Sequence, residues 1–152
     1  MPTAWRIVKA ARADTAFDGE GARLHGGRWN SPGTAIVYTA QGESLAALEL
    51  LVHLHAAHLL GTYSSVSVTF EQELVAVIDA AALPSDWRAY PAPLRLQQIG
   101  DRWAADQSSV LLEVASAIVP RERLYLVNPR HPDFARLTSG PAVPFEFDRR
   151  LK

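Results

Sequence analysis

Only two stretches of this chain, residues 45–60 and 94–105, carry apolar side chains at helical spacing. Leu45, Leu48, Val52 and Leu59 mark one such face, and Leu96, Ile99 and Trp103 the other. The remaining apolar runs are short and predict strands at 5–9, 35–40, 63–70, 74–78, 109–114, 117–119 and 124–127, with 143–147 as an added edge. In 63–70, alternation places Val66, Val68 and Phe70 on one side, and 74–78 is expected to partner or continue that strand. A glycine-bearing loop at 18–21, a break at 83–87 and a rigid turn at 128–134 leading into a short helical piece punctuate these elements. Gly42, Glu43 and Ser44 form the turn into the first long helix, with Ser44 as its expected N-cap and Glu49 in its first turns. There is no internal repeat. Strands interrupted by just two helices predict a single compact α+β domain spanning 1–152, with a mixed or antiparallel central sheet, over a regular parallel array.

A chain of 152 residues, 48% hydrophobic and 20% charged, can bury a core of its own. Its formal net charge of −1, from 15 basic and 16 acidic residues, argues against a surface devoted to nucleic acid or anionic lipid. The absence of cysteine removes disulfides, thiolate metal sites and a thiol nucleophile together. No apolar run approaches the roughly 18 residues of a membrane span, and a soluble cytoplasmic protein is expected. Lys9 and Lys152 are the only lysines. Wherever one of the arginines is buried, its planar fork suits an anion.

The segment Gly26-Gly27-Arg28-Trp29-Asn30-Ser31-Pro32-Gly33, followed by Tyr38 on a predicted strand and Glu49 on a predicted helix, carries the chemistry. Two glycines allow close backbone approach, and a guanidinium suits phosphate or carboxylate. Arg28 could equally brace its own loop, and Tyr38 could be a half-buried core aromatic with a satisfied hydroxyl. Glu49 interrupts an apolar stretch from Leu45 to Val52, where a carboxylate is costly unless paired or used, or else faces solvent. Among the histidines, His53 and His55 face different sides of a helix, and His25, His58 and His131 complete no H-E-x-x-H pattern. Metal ligation is therefore disfavoured.

Together with Ser44-Leu45-Ala46-Ala47-Leu48-Glu49, the run Val114-Ala115-Ser116-Ala117-Ile118-Val119 and Asn128-Pro129-Arg130-His131-Pro132-Asp133-Phe134, these motifs resemble the RES domain family across nearly the whole chain. The resemblance implies a fold similar to ADP-ribosyltransferases and a toxin of RES–Xre toxin–antitoxin systems acting on NAD⁺ as substrate, with no bound cofactor. It places the family arginine on Arg28, its tyrosine on Tyr38 and its glutamate on Glu49. The family serine falls on Ser44, Ser109 or Ser116. Ser109 and Ser116 are favoured as cleft-lining, and Asn128 is expected to touch ligand or fix a turn. Where the family often shows proline before the second serine, this chain has Ala115.

On this resemblance, Glu49 stabilises an oxocarbenium-like ribose as nicotinamide leaves, Tyr38 stacks on nicotinamide or ribose, and Arg28 grips a phosphate. The acceptor stays open between water, inorganic phosphate and a protein side chain. A non-catalytic nucleotide-binding or interaction module is the alternative from another class. The implied partner is an Xre-type helix-turn-helix antitoxin in a larger complex, with DNA contact left to that partner.

Overall fold

A computed structural model describes residues 1–151. They form one α+β domain around an eight-stranded mixed sheet. The strands are β1 (Thr3–Lys9), β2 (Val37–Ala40), β3 (Tyr63–Thr69), β4 (Val75–Val77), β5 (Leu111–Ala115), β6 (Arg123–Val127), β7 (Thr138–Ser139) and β8 (Val143–Phe145). Three α-helices accompany them: α1 (Glu20–His25), α2 (Glu43–Leu51) and α3 (Leu94–Asp106). The sheet order is β4-β5-β6-β2-β1-β3-β7, with β8 also on β3. Every pairing is antiparallel except the parallel pair β4 and β5.

β1 and β3 run together through seven register pairs, whereas β1 and β2 share only Trp5 with Ala40. The sheet splays beyond that point. Arg6 fills the split by donating from its Nη1 to the Tyr38 carbonyl at 3.1 Å, so a backbone acceptor without a ladder partner is still satisfied.

Alternation along the strands sends two sets of side chains to opposite faces. Leu112, Val114, Leu124 and Leu126 meet Leu45 of α2, Leu96 and Trp103 of α3, and Trp29 from the loop after α1. Val37, Val68, Leu111 and Val127 meet Phe70, Leu74 and Phe134 on the other side. Each fully buried large side chain of this kind contributes about 1.5–3 kcal/mol.

α3 matches its expected span. Pro93 precedes it and Gln107 closes it in the left-handed conformation. α2 differs from expectation. It begins at Glu43 with extended Gly42 as its N-cap, so Ser44 lies exposed inside the first turn and caps nothing. It also ends at Leu51, because His53 and Leu54 N–H groups turn back to the carbonyls of Leu50 and Leu51, three residues earlier. A separate 3₁₀ turn, Ala56–Leu60, follows, with the His55 N–H bonded to His58 Nδ1. Glu49 consequently sits in the last turn of a nine-residue helix, not its first. The inward face is Leu45 and Ala46 rather than Leu48 and Val52, which are exposed. Glu49, four and three residues on from that buried pair, faces the body of the protein.

Two strand expectations are corrected. β4 neither partners nor continues β3 but pairs in parallel with β5 across the sheet. Residues 117–119 form no strand, because the N–H groups of Ile118 and Val119 bond the Ser116 hydroxyl instead of a neighbouring strand.

Candidate active site

The arginine loop is built as a rigid shelf. Its N–H and C=O groups at Gly27 and Asn30 bridge each other, and the fully buried Asn30 amide donates to the carbonyls of Ala22, Ser31 and Thr34. From β2, the Tyr38 hydroxyl accepts the Trp29 N–H at 3.0 Å and donates to Asn30 Oδ1 at 2.6 Å. Gly27 is required by that contact, since a Cβ there would lie 2.7 Å from the Tyr38 oxygen. Burial raises the Tyr38 pKa well above the ordinary phenol range, so it keeps the proton it donates.

α3 holds the shelf from beneath. Gln97 Nε2 donates to the Gly27 carbonyl at 3.0 Å, and Asp101 accepts both the N–H and the hydroxyl of Ser31. Between them Gly100 lets the helix touch the Trp29 backbone. None of these three stood out in the sequence. The available signal was a glycine inside a helical pattern, which costs about 0.5–1 kcal/mol relative to alanine and so calls for a packing reason.

Arg28 projects from this shelf. Its Nη1 donates to the carbonyls of Trp87 at 3.0 Å and Ala89 at 2.9 Å, which commits both protons on that nitrogen. Among the described residues no hydrogen bond engages its Nε–Nη2 edge, the side-on fork that fits phosphate or carboxylate. Residues 87–89 are fastened on the other side by Arg88, whose Nε donates to the Ala117 carbonyl at 2.9 Å.

Glu49 stands opposite. Ser116, wholly buried after β5, accepts the N–H groups of Ile118 and Val119 at 3.1 Å and donates to Glu49 Oε1 at 2.8 Å. With both acceptor positions taken by backbone, the hydroxyl proton goes to the carboxylate. Burial raises the pKa of Glu49, and the Ser116 bond, Arg28 and His53 oppose that shift in decreasing order. The position at the negative end of α2 adds to the cost of its charge. Arg28 and Glu49 are near enough for their charges to attract, and among the described residues no ion pair joins them.

The structure thus gathers Arg28, Tyr38, Glu49 and Ser116 on one side of the sheet. Ser109 and Asn128 lie at the other end of β5 and β6. Ser109, seven residues from Ser116, is about 23 Å away along the strand direction at roughly 3.3 Å per residue. Its hydroxyl accepts from Trp103 Nε1 and donates to the Leu111 carbonyl. The Asn128 amide donates to the Ala104 carbonyl and its Oδ1 accepts the Arg130 N–H. A cavity of about 550 Å³ is on the opposite face against Phe17, Val68, Phe134 and Leu137, away from Arg28 and Glu49. His55 and His58 are neighbours, but among the described residues no three His, Asp or Glu side chains converge. None of the described helices is long and apolar enough to cross a membrane.

Replacing Ser116 by alanine strips Glu49 of its one side-chain donor and leaves two backbone N–H groups unpaired. Since that bond favours the ionised carboxylate, the acid limb of the activity profile moves to higher pH. We expect activity at the acid end to fall about ten-fold or more, the worth of a hydrogen bond to a charged group. A pH profile of kcat/KM coincident with the parent's would remove Ser116 from this role.

A single α+β domain that sets a guanidinium with an unused edge near a partly buried carboxylate describes the class. The RES domain model matches residues 3–148, and the chain belongs to that family. It is 38% identical over 149 residues to Toxin Res of Yersinia enterocolitica serotype O:8 / biotype 1B, covering 97% of this chain and 98% of that one. It is 39% identical over 152 residues to the Prs ADP-ribosylating toxin of Sphingobium sp. (strain YBL2), covering 97% and 94%. Among solved structures it shares its fold with a chain of the M. tuberculosis MbcT–MbcA toxin–antitoxin complex, at a TM-score of 0.74 and 22% identity, covering 95% of this chain and 84% of that one.

Proposed function

We propose that this chain is the toxin of a toxin–antitoxin pair and that it breaks the nicotinamide–ribose bond of NAD⁺. The observation that carries this reading is the separation of Arg28 and Glu49, two charges that attract without touching, with the Nε–Nη2 edge of the guanidinium unused. A dinucleotide offers both partners: phosphate for the fork, and a ribose that becomes cationic as its bond to the pyridinium breaks. The bonding pair leaves with the pyridinium nitrogen, giving neutral nicotinamide, so no acid is needed on the leaving side. Glu49, ionised, stabilises the charge left on the ribose. Tyr38 fixes the arginine loop through its hydroxyl and offers the partly exposed remainder of its ring to the nicotinamide or ribose.

Water as acceptor gives ADP-ribose, inorganic phosphate gives its phosphorylated form, and a protein side chain gives an ADP-ribosylated product. The name of the Sphingobium relative favours the protein acceptor as the alternative outcome. The toxin–antitoxin complex with this fold supports an antitoxin that covers the cleft, of the Xre helix-turn-helix type in our reading, within the cytoplasm.

The test is direct. Purified chain incubated with NAD⁺ should release nicotinamide, and mass spectrometry with and without phosphate, and with a lysate as acceptor, should identify where the ADP-ribosyl group goes. Intact NAD⁺ under all three conditions sinks the proposal.

A further inference from the structure

The segment after the 3₁₀ turn Ala80–Ala82 is fastened across the site rather than beside it. Arg28 grips the carbonyls of Trp87 and Ala89 from the glycine-rich loop, and Arg88 reaches the Ala117 carbonyl next to Ser116. Trp87 also packs into the core face that holds α2 and α3. The strap therefore joins the two walls that carry the guanidinium and the carboxylate, and the position of its next residue is fixed by both.

That residue is Tyr90, which is 84% exposed. A ring this exposed is not engaged in core packing and is free to meet a ligand. Among the described residues its hydroxyl makes no hydrogen bond and its ring meets no other aromatic ring. It follows directly on Ala89, whose carbonyl is bonded to Arg28, and its phenol is near enough to act on the Arg28 charge. An anion on the free edge of Arg28 would therefore bind in the neighbourhood of this phenol.

We propose that Tyr90 is a ligand-contacting residue, whose ring stacks on a planar heterocycle of a dinucleotide anchored by its phosphate to Arg28. The inference rests on the NAD⁺ reading above and assigns to the site a contact beyond Arg28, Tyr38, Glu49 and Ser116. Stacking needs the ring but not the hydroxyl, which separates Tyr90→Phe from Tyr90→Ala.

The experiment measures nicotinamide release against NAD⁺ concentration for the parent, Tyr90→Phe and Tyr90→Ala, with thermal melting of each. Tyr90→Ala should raise KM about three- to ten-fold, the worth of one aromatic stacking contact, with kcat within about two-fold and an unchanged Tm. Tyr90→Phe should restore the parent KM. A parent that turns over NAD⁺ alongside a Tyr90→Ala variant with the same KM overturns the Tyr90 assignment alone. A fall in kcat and Tm without a change in KM also overturns it, since that marks a structural role. A parent inert toward NAD⁺ overturns both this assignment and the function on which it rests.

Discussion

Glu49→Gln should reduce nicotinamide release by at least about 10²–10³-fold, the usual cost of removing one preorganised charge-stabilising group, while the protein stays folded. Glutamine keeps the shape and still accepts the Ser116 proton, so the bond from Ser116 survives. What disappears is the negative charge that faces the developing cation. The same substitution makes a second prediction about stability. Because burial raises the pKa of Glu49 in the folded state, its contribution to stability is fully present below the unfolded pKa and is lost as pH rises through the folded value. Near neutral pH the parent therefore bears an unfavourable charge that the variant lacks. Its Tm should equal or exceed the parent's there, and its stability should lose that part of the pH dependence. Activity within ten-fold of the parent would remove Glu49 from the chemistry, whatever the melting curves show.

Gly100→Ala should abolish activity by a different route. A Cβ at that position would lie 1.7 Å from the Trp29 carbonyl oxygen and 2.7 Å from its carbon. Both are backbone atoms, so no side chain can swing aside, and either α3 or the arginine loop must shift. Overpacking of this kind costs about 3 kcal/mol or more, which for a chain of this size corresponds to a fall in Tm of roughly 6–12 °C. The displaced loop carries Arg28 with it. Gly21 in α1 supplies the contrast, since a Cβ there meets nothing within 4 Å. Gly21→Ala should raise helix stability by about 0.5–1 kcal/mol and leave activity alone. Circular dichroism melts of both variants decide the matter: a Gly100→Ala protein with the parent's Tm and turnover would mean that the contact between helix and loop does not hold the site.

α3 was legible in the sequence because its signal is local. Leu96, Ile99 and Trp103 repeat at helical spacing between a proline and a left-handed terminus, and nothing distant competes. The end of α2 was not, because His53 and Leu54 turn back three residues rather than four while the apolar pattern runs on. Residues 117–119 look like a strand in composition, but a single hydroxyl, that of Ser116, captures two of their backbone donors. The pairing of β4 with β5 joins segments more than thirty residues apart, and an apolar run says nothing about its partner. In the site, Arg28, Tyr38 and Glu49 were legible as residue types at informative spacing. Ser116 could not be told from Ser109 until the fold put one against Glu49 and the other against Trp103. Gln97 and Asp101 stayed hidden because polar residues on a helix look like solvent-facing ones.

The order of strands also bears on how such a chain is made. β6 is inserted between β5 and β2, and β5 brings Ser116 at its end, so these late segments occupy the middle of the sheet. A nascent polypeptide that has delivered Arg28, Tyr38 and Glu49 from the ribosome still has β2 unpaired along its β6 edge and no hydroxyl to orient the carboxylate. The surroundings of Glu49 and the β6 edge of β2 are therefore completed only once the chain through Val127 has emerged.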